Sequence, residues 1–148
     1  MKQIVFFMKQ DLVNYLHTKY GRCLKEGVIR LPISSTLFYV VDELLAMSPR
    51  RSYVRPEGNI AFSIPSLGDV DNKKIVKYHV ISKENIHLLE RRIEMEMRVE
   101  LYDLMKENRR RNITYIKTLE EFMRKYNLMD TTEDSFLKGF QRWRKRLR

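Results

Sequence analysis

The stretch Lys74-Ile75-Val76-Lys77-Tyr78-His79-Val80-Ile81-Ser82-Lys83-Glu84-Asn85-Ile86-His87-Leu88-Leu89-Glu90 changes its period at one residue. Up to Ile81 it is a short β-branched and aromatic run, which reads as a strand. From Ser82 onward the apolar residues recur at helical spacing: Ile86, Leu89, Ile93, Met97, Leu101 and Leu104. Steps of three and four put them on one side of a helix, and the Ser82 hydroxyl is placed to cap it. The spacing predicts a long amphipathic helix over 83–107. Period-two runs dominate before this point and 3.6-residue runs after it, the order expected of an α+β protein.

Working toward the N-terminus, Ile60, Phe62 and Ile64 alternate with Ala61 and Ser63, the pattern of a half-buried strand. It is expected to pair with 74–81 as a hairpin across the turn-rich segment Pro65–Asn72. Ile4 to Met8 reads as a buried strand. Asp11 opens a helix with Leu12, Tyr15, Leu16 and Tyr20 on one face, ended at Gly21. Val28, Ile29, Leu31 and Ile33 form an extended segment whose Pro32 suits an edge or a loop. Ser34-Ser35-Thr36 offers caps for a helix carrying Leu37, Val40, Val41, Leu44 and Leu45, which Ser48-Pro49 stops. Arg50 to Asn59 reads as a loop. The sheet is expected to be small and mainly antiparallel, covered by these helices.

Toward the C-terminus, Asn112 to Lys117 reads as a link. Thr118-Leu119-Glu120-Glu121 matches a capping box, so a short helix is expected to start there, burying Leu119, Phe122, Met123 and Tyr126. Asn127 to Asp130 breaks it. Thr131 or Thr132 then starts a last helix with Glu133 and Asp134 in its first turn. Phe136, Phe140, Trp143 and Leu147 form its apolar stripe, so Tyr126 and Trp143 are expected to be buried. The chain thus divides into a small α+β portion (1–81), the long helix (82–111) and a basic helical pair (112–148) of helix-turn-helix type, together one compact unit.

The chain has 148 residues with 29 Lys and Arg against 19 Asp and Glu, a net charge of +10, and 43% hydrophobic residues. That is enough apolar content for a core, which excludes wholesale disorder. Cys23 is the only cysteine, so an intrachain disulfide is excluded. No apolar run approaches the roughly 18 to 20 residues that span a bilayer, so no membrane role is expected. Met1 to Gln10 lacks a signal-peptide core, which points to the cytoplasm.

Catalytic constellations are missing from the reading. Five glycines stand singly, without a phosphate-cradling loop. His17, His79 and His87 lack ligand spacing, and Cys23 has no identifiable His partner. Asp69, Asp71 and Lys73 share one loop, but an Asx-rich turn explains them. No enzyme activity, metal or cofactor is expected.

The basic excess is the functional signal, because polyanions are attracted to such a surface. It is dense in Arg109-Arg110-Arg111 and again at Arg142-Trp143-Arg144-Lys145-Arg146. On the last helix Lys138, Arg142 and Lys145 share one face, Arg146 extends it and Arg144 flanks the aromatics. A capped helix, a tight break and a basic amphipathic helix are the parts of a helix-turn-helix. Nucleic acid, duplex DNA first, is the expected partner, with phosphates neutralised by this helix and clamped by Arg109, Arg110 and Arg111. A second cluster, Arg50, Arg51 and Arg55 around Tyr53, could stack that ring on a base. Tyr115, beside the Arg109–Arg111 run, is expected to be intermediate in exposure. RNA is the alternative ligand. A partner protein or a homodimer formed through the 83–107 helix is the alternative of another class. Whether the fold brings the two basic runs together decides between them.

Four segments carry a resemblance: Arg30-Leu31-Pro32-Ile33-Ser34-Ser35, Ile64-Pro65-Ser66-Leu67-Gly68-Asp69, the helix around Arg92 to Met105, and Asp134 to Arg146. With them the whole chain resembles small proteins carried by phages and integrative elements of Bacteroidetes. The resemblance implies a mobile-element setting and DNA handling, as an accessory or regulatory protein. It assigns no residue a chemical role.

Overall fold

The computed structural model describes residues 2–48, 50–64 and 76–147. Met1, Pro49, residues 65–75 (with Asp69, Asp71 and Lys73, expected from the sequence to lie in a turn-rich segment) and Arg148 lie outside the described residues. The described elements make an α+β fold. Strands β1 (Lys2–Phe6), β2 (Leu24–Lys25), β3 (Val28–Arg30), β4 (Arg51–Ser52), β5 (Ile60–Ile64) and β6 (Lys77–His79) form one sheet. Helices α1 (Gln10–Lys19), α2 (Thr36–Ala46), α3 (Lys83–Arg110), α4 (Tyr115–Tyr126) and α5 (Glu133–Arg146) accompany it.

The strand order is β2-β3-β5-β1-β6-β4. The apolar β1 therefore lies inside the sheet, antiparallel to β5 with Ile4 opposite Phe62, and parallel to β6. This corrects the expected 60–64/74–81 hairpin, since β1 separates those strands. Burial explains the arrangement: every residue of β5, and every residue of β1 but Lys2, is withdrawn from solvent. Two such strands stabilise each other best side by side, leaving the shorter, more polar β6 further out. The sheet is mixed, because β3 pairs parallel with β5 as β6 does with β1. Arg51 and Ser52, expected in a loop, form the edge strand β4 against β6. Two-residue strands such as β2 and β4 are too short to show alternation. β2 and β3 join through Glu26 and Gly27, both at positive φ, as a tight two-residue hairpin requires.

One continuous core runs from the sheet residues Ile4, Phe6, Ile29, Phe62 and Ile64 through α1 and α2 to Phe136 and Phe140 of α5. Helix α3 crosses all of it. Ser82 caps it, its Oγ accepting from the Asn85 N–H at 3.2 Å. Its buried stripe is Leu89, Ile93, Met97, Leu101 and Met105, not Leu104, which is 40% exposed. A constant step of four drifts by roughly 40° each time, so the stripe winds around the helix. The start of α3 ties back to β1 and α1, where the buried Glu90 accepts from the Lys9 N–H at 2.9 Å. Its far half packs on α4 and α5.

Helix α4 starts earlier than the capping-box pattern predicts. Thr114, not Thr118, is the N-cap, accepting from the Lys117 N–H at 3.2 Å. Thr118 lies inside the helix, buried, and accepts from the Asn108 amide of α3 at 3.1 Å. The earlier start lets Tyr115 pack edge-on against Phe140, with ring centroids 4.9 Å apart. Asn127, left-handed at φ 52°, ends α4. Thr132 caps α5.

The break between α4 and α5 is held from a distance. Asp11 of α1 is buried, and its carboxylate accepts from the backbone N–H groups of Met129, Asp130 and Thr131 at 2.9, 3.0 and 2.7 Å, and from the Thr131 hydroxyl at 2.7 Å. Burial alone would raise its pKa. The hydrogen bonds outweigh that and hold the carboxyl below its ordinary 3.8. Tyr15 stacks obliquely on Tyr126 nearby, at 4.7 Å. The C-terminal pair is thereby oriented by the first helix of the chain.

Candidate nucleic-acid interface

Helix α5 meets α3 through an aromatic seam. Tyr102 of α3 lies 5.4 Å from Phe140 and 5.3 Å from Trp143, centroid to centroid. Gly139 permits this approach, because a Cβ there would stand 2.5 Å from the Tyr102 hydroxyl and 2.8 Å from an Arg98 nitrogen. Arg98 is committed to the seam: it lies 5.1 Å over the Phe136 ring, donates to the Tyr102 hydroxyl at 3.2 Å and pairs with Glu94 at 3.3 Å. The seam ends before the helix does. Trp143 is therefore half-buried rather than buried as expected, and Leu147, at the end of the apolar stripe, is exposed. Tyr126 is buried, as its place on the apolar stripe predicts, and Tyr115 is half-buried.

The seam organises the cations around it. Arg109, near the end of α3, lies 5.7 Å over the Tyr115 ring, and Arg144 of α5 lies 5.6 Å from the same ring centroid. Arg144 also lies 5.5 Å from Phe140. Lys106, one helical turn before Arg109, lies 5.4 Å from the centre of Trp143. Such contacts are each worth about 0.5–1 kcal/mol where exposed, and they restrict long side chains that would otherwise sample many rotamers. Arg142 and Arg146 line a groove together with Trp143. Among the described residues no carboxylate pairs with Arg142, Arg144, Lys145 or Arg146.

The remaining basic residues are arranged differently. Arg110 and Arg111 both reach Glu107, at 3.7 and 3.8 Å, so part of that run is compensated. Lys138 pairs with Asp134 at 3.0 Å and shares a shallow hollow with Arg142. Arg50 lines a hollow with Ser82 and Asn85 at the start of α3. The thirteen residues from there to Arg98 already span roughly 20 Å along the helix axis. Arg50, Arg51, Tyr53 and Arg55 are thus set apart from the C-terminal cations. Tyr53 is 71% exposed, and no aromatic or cation–π partner is found for it among the described residues. Close to this cluster His79 is buried; burial first, and Arg51 next, hold its pKa below 6.5.

Two participants escaped the sequence reading. Lys106 stands at i, i+3 from Arg109, a spacing that marks one helix face, but it lies outside the arginine run that drew attention. Asp11 reads in the sequence only as the start of the first helix; its acceptance from the Met129 amide, 118 residues on, has no local signal. No helix among the described residues is long and apolar enough to cross a membrane. No family model, no curated protein and no solved structure matches the chain.

Proposed function

We propose that this protein binds nucleic acid, duplex DNA ahead of RNA, by neutralising backbone phosphates with the cations grouped around Tyr115 and Trp143. The observation that carries the reading is the Tyr115 ring shared by Arg109 and Arg144. It joins the two basic runs, which stand more than thirty residues apart in the chain, in one surface. Lys106 borders that surface at Trp143, and Arg142, Lys145 and Arg146 join the phosphate-neutralising set from other faces of α5. Arginines held on rings lose less freedom on meeting a phosphate, and each keeps hydrogen-bond donors for it. Arg142, exposed and without a carboxylate partner among the described residues, is assigned any bidentate guanine contact. The helix-turn-helix reading of α4 and α5, and an accessory role in a phage or mobile element, belong to the same proposal.

The test is a salt titration on one duplex. Four to six neutralised phosphates give a slope of roughly −4 to −5 for log K against log salt. Replacing Arg109 and Arg144 together by alanine is expected to flatten the slope by about two units and to weaken all sequences alike. An unchanged slope, with the variant folded, removes this surface from the binding site. Competition by single-stranded RNA at equal or better affinity reverses the order of ligands.

A further inference from the structure

Beside the phosphate surface, α3 leaves an apolar face uncovered. Leu88, Met95 and Val99 are 56%, 64% and 49% exposed. Their spacings of seven and four residues place them along one side of the helix, over roughly 17 Å or three turns. At Met95 and Val99 this face opens into a groove of about 290 Å³ between α3 and α5. Tyr102, Gly139 and Trp143 line it together with the cations Arg98, Arg142 and Arg146. Gly139 deepens it by contributing no side chain. Arg98 is paired with Glu94, whereas Arg142 and Arg146 offer two uncompensated cations.

We propose that this groove docks an acidic amphipathic helix of a partner protein. Three apolar residues in line ask for an apolar stripe, the mode in which a helix lies in a groove with anchors at i, i+3 or i+4, and i+7. The arginines ask for carboxylates on that helix's flanks. A second copy of this chain is disfavoured by charge, since each copy carries +10 and two such faces would oppose arginine to arginine. A nucleic-acid backbone has nothing apolar to set against Leu88, Met95 and Val99. An acidic helix meets both demands. Because Arg142 and Arg146 belong also to the phosphate surface, the docked helix withdraws two cations from it. The inference stands on the apolar face and does not require nucleic-acid binding.

Trp143 is the only tryptophan and lines the groove, so its emission reports occupancy directly. The probe is a helix-forming peptide of leucine on one face and glutamate on the other, with a scrambled peptide of equal charge as control. The full chain is titrated with each at roughly 0.15 M salt. The patterned peptide is expected to shift Trp143 emission to the blue and to bind about tenfold more tightly than the scrambled one. Met95→Ser with Val99→Ser, both at exposed positions, is expected to remove about that tenfold while leaving duplex affinity within about twofold. Equal binding of the two peptides, or no binding of either, overturns the proposal. So does a double variant, shown folded by its melting curve, that binds the patterned peptide as wild type does. Loss of duplex affinity to the same extent as peptide affinity assigns the groove to nucleic acid instead.

Discussion

Two clusters of this chain have nearly the same ingredients, a tyrosine among arginines, and the fold treats them differently. Around Tyr53 the arginines follow one another along a loop and a two-residue edge strand, and the ring stands in solvent. Around Tyr115 the arginines come from two helices, and the ring is packed on Phe140 while it holds Arg109 and Arg144. The first cluster is a property of the sequence. The second is a property of the tertiary structure, and only it has been organised before any ligand arrives. Pre-organisation lowers the entropy lost on binding, so equal charge does not mean equal affinity.

If the Tyr115 cluster is built by the fold, the largest effect should come from undoing what orients it. Asp11→Ala strips four hydrogen bonds from the α4–α5 break and leaves the Met129, Asp130 and Thr131 amides without their carboxylate acceptor. A loss of about 3 kcal/mol or more is expected in denaturant unfolding, with duplex affinity falling alongside. The pH dependence sharpens this. The folded-state pKa of Asp11 lies below its unfolded value, so its contribution is present above about pH 4 and is lost as pH falls through the depressed pKa. The wild type should lose stability over that window and Asp11→Asn should lose less. His79 adds an earlier phase with the same sign: buried and neutral, it favours the unfolded state as pH drops below 6.5, so His79→Leu should flatten the decline there. A wild type with a flat profile from pH 7 to pH 3 contradicts both.

The next effect tests the comparison itself. Tyr115→Ala removes a half-buried ring, its contact with Phe140 and the seat of two arginines. It is expected to cost about 2 kcal/mol of stability and about tenfold in duplex affinity at low salt. Tyr53→Ala should leave stability within about 0.5 kcal/mol and affinity nearly unchanged. Equal losses of affinity from the two changes would mean that exposed Tyr53 stacks on a base, and that organisation in the free protein is not what matters.

How much of this was legible follows the range of the interactions. The α+β class, strand 60–64, the Ser35 and Ser82 caps and the last helix are written in neighbours three or four residues apart, and each stands where its pattern puts it. The insertion of β1 between β5 and β6 is not, because strand order depends on which runs bury both faces, a comparison across the whole chain. Thr118 shows a local signal overruled: its capping-box pattern is genuine, but Thr114 offers the same hydroxyl one turn earlier and the Tyr115–Phe140 contact selects it. At the interface the last helix and the arginine runs were visible as charge. Their meeting on Tyr115 was not, and neither was the dependence of that meeting on Asp11.

The smallest effect concerns Lys138, which the helical wheel places with Arg142 and Lys145 but the structure pairs with Asp134 at 3.0 Å. Both side chains are about three-quarters exposed, so the pair itself contributes at most a few tenths of a kcal/mol. Its influence on binding is larger than on stability, because a cation already paired with a carboxylate neutralises a phosphate less fully and so releases less of the counterion condensed on the duplex. Lys138→Ala removes the cation but frees the carboxylate, and is expected to flatten the salt slope by clearly less than the one unit assigned to Arg144→Ala. Asp134→Ala should do the reverse, raising duplex affinity two- to threefold at about 0.05 M salt and leaving it unchanged at about 0.5 M, where screening has removed the difference. It should also lower stability slightly, since Asp134 sits in the first turn of α5 where negative charge is favoured. Measured in the same titration, Lys138→Ala and Arg144→Ala with equal slopes would place Lys138 on the phosphate path in spite of its carboxylate. The bound surface would then extend to the start of α5, and the organised cluster around Tyr115 would be one part of the interface instead of its centre.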